Sequence, residues 1–132
     1  RRICSDKKFS RTFKEYLGKF MASARLKNIG ISAYKLRLII DKVRGKKVIY
    51  AENQLRYLKS PASKVILKLL QSVTSNAENN DLQNKDDLKI TKIMADQSTS
   101  IRRFRAKARG RAGSFDRPMS HLTIEVDEEG DN

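Results

Sequence analysis

Residues 88–126 read LKITKIMADQSTSIRRFRAKARGRAGSFDRPMSHLTIEV. The segment 88–95 is rich in β-branched and aliphatic residues and predicts a strand. Its alternation slips between Lys92 and Ile93, which indicates either a bulge or an environment that is buried on both sides. The segment 122–126 alternates apolar and polar residues and predicts a half-buried strand. The roughly 25 residues between these strands have no helical period, and so long a connection in a small domain is usually functional or disordered.

Lys or Arg occupies every second position in the middle of this connection, at Arg103, Arg105, Lys107, Arg109 and Arg111. In an extended chain alternate residues share a face, so these cations would line one side of a ribbon, with Phe104 and small residues on the other. Guanidinium groups bind phosphates bidentately and stack on exposed bases, so the pattern favours nucleic-acid binding. A disordered basic loop is the alternative.

Helical periodicity dominates the residues that precede this region. Residues 22–31 predict a short strand, after which Ser32 stands at the N-cap and Gly45 at the C′ position of a first helix. A second helix is predicted over 47–58, and Pro61 is placed to begin a third. The apolar stripes of the three helices are Leu36, Ile39, Ile40 and Val43; Val48, Ala51, Leu55 and Leu58; and Val65, Ile66, Leu69, Leu70, Val73 and Ala77. These stripes can bury one another.

Composition narrows the class of protein. The chain has 132 residues, which is enough for one compact domain, and its 29 Lys and Arg against 15 Asp and Glu give a formal charge of +14. Such a charge favours a polyanionic partner. No apolar run reaches the roughly 18 residues of a membrane span. One Cys and one His exclude zinc fingers and most nucleophile–base sites, and a single Cys fits a reducing compartment.

The charge is unevenly distributed. The first 60 residues carry 17 basic and four acidic residues, residues 99–119 carry seven basic residues against Asp116, and residues 121–132 carry five acids without Lys or Arg. We therefore expect residues 1–21 to form a basic N-terminal extension and residues 22–132 a single RNA-binding domain that ends in an acidic tail.

Taken in order, several segments resemble one known family. The segments are ARLKNIGISAYKLRLIIDKVRGKKV, SPASK, SVTSNAENN, DDLKITKI, RRFRAKARGRAGS and SHLTIEV, and together they cover roughly residues 22–126. In this order they are similar to the bacterial type of the large-subunit ribosomal protein twenty-two family.

The resemblance implies an α+β fold in which three helices pack on a small antiparallel sheet, with a long protruding β-hairpin at about residues 88–126. It implies a structural constituent of the large ribosomal subunit that binds the large-subunit rRNA, supports its assembly and places a basic hairpin in the wall of the nascent-peptide exit tunnel. The implied partners are that rRNA, neighbouring large-subunit proteins and the nascent polypeptide, without a membrane, metal or cofactor. The implied location is a cytoplasmic ribosome of the bacterial type, with an organellar ribosome as the alternative.

The resemblance and the charge pattern together assign two sets of residues. The expected rRNA-binding residues are Lys35, Arg37, Arg44, Lys46, Lys47, Arg102, Arg103, Arg105, Lys107, Arg109, Arg111 and Arg117. The expected tunnel tip consists of Lys107, Ala108, Arg109, Gly110, Arg111, Ala112 and Gly113.

Two other classes of function are weighed against this one. The predicted helices 33–44 and 47–58, joined near Gly45, could form the helix-turn-helix of a DNA-binding regulator. An RNA-acting enzyme lacks a candidate set of catalytic residues, and His121 is expected to make a structural hydrogen bond at the start of a strand. Cys4 is expected to be an inert thiol.

Overall fold

The computed structural model describes residues 21–128. One strand is followed by three consecutive helices and then by four consecutive strands. The elements are β1 (Ala22–Ile29), α1 (Ala33–Val43), α2 (Val48–Tyr57), α3 (Pro61–Asn80), β2 (Leu88–Gln97), β3 (Ile101–Ala106), β4 (Ala112–Arg117) and β5 (Ser120–Glu128). Single turns of 3-10 helix lie at Lys85–Asp87 and Ala108–Gly110. Three helices on antiparallel strands confirm the predicted α+β class.

Local signals in the sequence set the ends of the helices. Gly45 has φ +71° directly after α1, a left-handed conformation that glycine adopts without steric cost. Pro61 is the first residue of α3, as predicted. Ser32 and Ser60 hold the N-cap positions, but neither hydroxyl makes a capping hydrogen bond. At Ser32 the backbone carbonyl accepts from the amides of Lys35 and Leu36 instead, at 3.1 and 3.3 Å.

The main sheet has three antiparallel strands in the order β1-β5-β2, so β5 is central and β2 forms one edge. The β2–β5 register shifts between Ile90 and Lys92, which leaves Thr91 as the extra residue of a bulge. The bulge keeps Ile90 and Ile93 on the buried face although they are three residues apart, and it confirms the predicted irregularity in this strand.

The core lies between the helices and one face of this sheet. On β5, Leu122, Ile124 and Val126 are fully buried, and they belong to one core cluster with apolar side chains of the helices such as Ile40 and Leu70. The predicted stripes are buried except in two places. Leu58 and Val65 pack only partly against the core. The apolar pattern also does not indicate that Glu52 is buried, where its carboxylate pairs with Lys85 Nζ at 3.3 Å.

A long hairpin continues out of the sheet. The β2–β5 ladder ends at the pair Gln97–Ser120, and one hydrogen bond from Ser98 N to the carbonyl oxygen of Met119, at 2.9 Å, bridges to the β3–β4 ladder. The six-residue strands β3 and β4 then extend for about 20 Å at roughly 3.3 Å per residue. Every residue of β3 is exposed, so this arm has no core of its own.

The last strand is longer than the apolar alternation predicts. The predicted strand 122–126 is found, but β5 runs from Ser120 to Glu128 and so includes the first acids of the predicted tail; Asp127 is buried and paired in register with Lys89. A strand in the centre of a sheet can hold acids because cationic residues stand opposite them. The predicted N-terminal extension, apart from Met21, and residues 129–132 lie outside the described residues.

Candidate nucleic-acid interface

Four predicted RNA-binding cations, Arg37, Arg44, Lys46 and Lys47, lie where α1 and its following loop meet the edge strand β2, and a fifth, Lys35, is in the first turn of α1. This edge cluster consists of Lys35, Arg37, Arg44, Lys46 and Lys47. The Lys46 carbonyl accepts a hydrogen bond from the amide of Ile90 at 3.1 Å, and Lys47 forms an isolated bridge with Lys89, so the loop is attached to β2. The edge cluster is therefore held on a rigid part of the fold.

Two arginines of the edge cluster also have a structural role that sequence reasoning missed. Arg37 donates from Nε and Nη2 to the carbonyl oxygen of Ala95 at 3.1 and 2.9 Å. Arg44 Nη1 lies 3.3 Å from a carboxylate oxygen of Asp41, and its Nη2 lies 3.5 Å from the carbonyl oxygen of Ile93. Both guanidinium groups thus satisfy acceptors on the open edge of β2 and hold α1 against it. A guanidinium has five N–H donors, so each retains donors for another ligand.

Lys46 occupies a half-buried position between two side chains of α2. Its Nζ is 3.2 Å from Gln54 Oε1 and 5.0 Å from the centre of the Tyr50 ring, a cation–π distance. Tyr50 itself is 58% exposed, so an aromatic face stands beside the cation on the surface. Cations beside exposed rings suit contacts with both phosphates and bases.

The hairpin residues divide between two faces according to their cross-strand pairs. Directly opposed residues share a face, and the pairs Ile101–Arg117, Arg103–Phe115 and Arg105–Gly113 define one of them. This cationic face therefore carries Arg103 and Arg105 from one strand and Arg117 from the other. On the opposite face Arg102 stands across from Asp116, and Phe104 is 78% exposed.

The predicted row of five alternating cations continues through Lys107 and is interrupted at the turn Ala108–Gly110. Strand β3 ends at Ala106, but Lys107 still has extended backbone, and its N donates to the carbonyl oxygen of Arg111 at 2.7 Å across a tight turn. Arg109 and Gly110 have φ values of +58° and +67°, so the turn directs side chains away from the strand alternation. Arg103, Arg105 and Lys107 remain in line, because the Lys107 side chain lies over Gly113, the residue opposite Arg105, while Arg109 and Arg111 lie in and beside the turn.

The predicted tip residues all lie in or beside this turn. Lys107 through Ala112 are exposed and Gly113 is half-buried. The Lys107 side chain lies across Gly113, where an added Cβ would overlap it. Gly110 supplies a left-handed conformation without strain, and Arg109 holds one at some cost. The tip is thus a compact cationic turn at the end of the arm.

The net charge of the outer hairpin, residues 98–119, distinguishes it from the rest of the fold. It carries seven basic residues and a single acid, Asp116. No apolar core lies beneath it to compensate the mutual repulsion of these cations. A polyanion that follows the arm would relieve that repulsion, as it does in nucleic-acid-binding proteins.

Other candidate chemistry has structural explanations. The backbone amide of Asn28 donates to His121 Nδ1 at 3.1 Å, so this side chain makes the expected structural hydrogen bond. Among residues 21–128 no group of three or more His, Cys, Asp or Glu side chains could hold a metal ion. The helices described are all too short or too polar to cross a membrane. Cys4 lies outside the described residues.

Comparisons with known proteins give the arrangement a family. Residues 24–127 match the family described as Ribosomal protein L22p/L17e. The large ribosomal subunit protein uL22 of Dehalococcoides mccartyi strain 195 is 46% identical over 103 residues, which cover 78% of this chain and 94% of that protein. The protein of the same name from Pediococcus pentosaceus is 38% identical over 107 residues, 81% of this chain and 91% of that protein. The expectation of a structural ribosome component that is not an enzyme is thereby confirmed, and the chain belongs to the L22p/L17e family of ribosomal proteins.

Proposed function

We propose that this chain binds large-subunit rRNA through the edge cluster and the outer hairpin, and that the hairpin tip forms part of the wall of the nascent-peptide exit tunnel. Family membership makes the chain a structural constituent of the large ribosomal subunit. The proposal concerns which surfaces it uses there and what they contact.

The observation that carries the proposal is the outer hairpin itself. It projects about 20 Å from the sheet, at roughly 3.3 Å for each of its six-residue strands, and the seven cations it bears are balanced by Asp116 alone. An exposed two-stranded arm of this charge gains little from the rest of the protein. It gains a great deal from phosphates, because each cation that neutralises one releases condensed counterions.

The edge cluster and the outer hairpin have different roles in this proposal. The edge cluster is fixed to β2 by backbone and guanidinium hydrogen bonds, so it can position the body on folded RNA. The outer hairpin can reach between RNA segments and hold them together, which would support assembly of the subunit. Other ribosomal proteins of the large subunit are its further neighbours, and the bacterial relatives support a cytoplasmic ribosome.

The tip is suited to a tunnel wall because it is narrow and lacks a large apolar side chain. Between Lys107 and Gly113 the residues other than Lys and Arg are alanine or glycine. Such a turn presents charge and backbone to a passing polypeptide without offering an apolar surface on which the polypeptide could adhere. The nascent chain is therefore the proposed partner of the tip.

The DNA-binding alternative is less well supported. Its first helix, α1, is attached to the sheet edge through Arg37, and its second, α2, buries Glu52 against Lys85. The outer hairpin would have no use in such a regulator, and the relatives are ribosomal proteins.

A shortened hairpin tests the proposal. Replacing residues 107–111 with Asn-Gly joins the opposed residues Ala106 and Ala112 by a two-residue turn that suits a hairpin. Because the core lies elsewhere, we expect the variant to fold and to enter large subunits with reduced affinity. Its tunnel should respond differently to arrested nascent chains and to antibiotics that bind in the tunnel. Normal incorporation with an unaltered tunnel response would contradict the assignment of the tip.

A further inference from the structure

A cleft of about 620 Å³ lies at the root of the hairpin, where the arm leaves the body. One wall is the turn between β1 and α1, residues 30–32, together with Pro61 at the start of α3. The other wall is the hairpin root, with Ile101, Pro118 and Met119. The size falls within the range of sites that hold a small organic group. Most of its lining is apolar.

Three cations stand around this apolar floor. They are Lys35 of α1 and Arg103 and Arg117 of the hairpin, and no carboxylate lines the cleft. Arg103 and Arg117 belong to the same face of the hairpin, as the pairs Arg103–Phe115 and Ile101–Arg117 show. The helices α1 and α3 both begin at the cleft, and their N-termini add partial positive charge. The surroundings therefore favour an anion attached to a flat apolar group.

We propose that this cleft binds one unstacked nucleotide of RNA, with the base against the apolar floor and its phosphate among Lys35, Arg103 and Arg117. The inference rests on the proposed function and adds a specific preference to it. An RNA strand that follows the cationic face of the hairpin passes the mouth of the cleft, because Arg103 and Arg117 are part of both. Bases of RNA loops and bulges can be splayed out in this way, whereas bases of a duplex cannot.

Gly30 allows the cleft to be filled without a change of charge. It lines the cleft, its φ is not in the left-handed region, and a Cβ added there meets no heavy atom within 4 Å. Gly30→Leu should therefore fold normally and occupy the space of the base. Ser72→Leu is the matched control, because Ser72 is exposed on α3, outside both predicted sets of residues. Gly30→Ala is the smaller substitution in case the leucine disturbs the turn.

The experiment measures the binding of the full chain and its variants to a twelve-nucleotide single-stranded RNA and to an RNA duplex with the same number of phosphates. We expect Gly30→Leu to weaken single-strand binding by at least about fivefold, the low end of what one stacked base contributes, and to leave duplex binding unchanged. Gly30→Ala should give a smaller loss in the same direction, and Ser72→Leu should give none.

Three results would overturn the inference. Equal loss for single strand and duplex would mean that the cleft admits phosphate alone, and unchanged binding of both RNAs by Gly30→Leu would mean that it admits no part of the RNA. If the wild-type chain binds a labelled peptide of alternating Glu and Phe and Gly30→Leu does not, while both bind RNA equally, the cleft would be assigned to an acidic protein segment. In each case a steep salt dependence of RNA binding by the wild-type chain would leave the proposed function intact, whereas a flat one would contradict that function separately.

Discussion

The cationic face of the hairpin makes a quantitative prediction about salt. Replacing Arg103, Arg105 and Arg117 with alanine removes three guanidinium groups that the cross-strand pairs place on one face. Each phosphate contact releases roughly 0.7–0.9 counterions, so losing three contacts should make the slope of log K against log salt shallower by about 2–3. The three side chains are exposed, so the free energy of unfolding should change by less than about 0.5 kcal/mol.

Filter binding of transcribed large-subunit rRNA over a series of salt concentrations measures that slope. The matched control replaces Lys59, Lys64 and Lys68 with alanine, which removes the same charge from exposed positions outside the predicted interface. We expect the control to retain the wild-type slope to within about one counterion, since lysines that face no phosphate release none. Equal slopes for the two triple variants would refute the reasoning, because total charge rather than the hairpin face would then govern binding.

Three further predictions concern the fold and can be checked by urea unfolding. Leu70→Ala should lower the free energy of unfolding by about 2–5 kcal/mol, because the side chain is fully buried in α3, and a loss under about 0.5 kcal/mol would contradict the described packing. Arg37→Met removes both hydrogen bonds to the carbonyl oxygen of Ala95 and should lower the free energy of unfolding by about 1 kcal/mol. An unchanged free energy of unfolding would mean that these bonds do not hold α1. Gly45→Ala should lower the free energy of unfolding by about 1–2 kcal/mol, because φ at this position is +71°. Gly30→Ala should leave the free energy of unfolding almost unchanged, because Gly30 does not have a left-handed backbone. Equal losses for the two variants would refute the assigned turn at Gly45.

Features governed by local chemistry could be predicted from the sequence. Gly45 and Pro61 mark helix boundaries through their own backbone preferences, which no tertiary contact has to supply. The slip in apolar alternation beside Lys92 indicates a bulge because only an extra residue keeps both Ile90 and Ile93 buried. The basic connection indicates an exposed ribbon for a similar reason, since its residues cannot form a core.

The turn of the hairpin could not be located in the same way. Alternating cations continue through Arg109, and the sequence offers no Asn-Gly or Asp-Gly pair to mark a two-residue turn. The turn is instead set by the register of β3 with β4, and that register also brings Arg117 beside Arg103. The pairs responsible, Ile101–Arg117 and Arg103–Phe115, join residues 16 and 12 positions apart, and the periodicity of either strand does not encode such pairing.

Tertiary contacts account for the other differences. Arg37 and Arg44 reach backbone carbonyls of β2, and only the strand order reveals that β2 is an edge with open acceptors. Glu52 is buried because Lys85 lies 3.3 Å away in a segment 33 residues later. The cleft at the hairpin root likewise forms from four separate segments of the sequence, so its lining has no signature in any one of them.

The central claim is that the outer hairpin extends to the nascent polypeptide, and a crosslinking measurement tests it most directly. A photoreactive benzoylphenylalanine at Ala108, in the exposed turn, is compared with the same group at Ser72 on α3, in ribosomes that carry an arrested, labelled nascent chain. We predict a crosslink to the nascent chain from position 108 and none from position 72. Crosslinks from position 108 to rRNA or neighbouring proteins alone, in subunits that contain the variant at full occupancy, would contradict the claim.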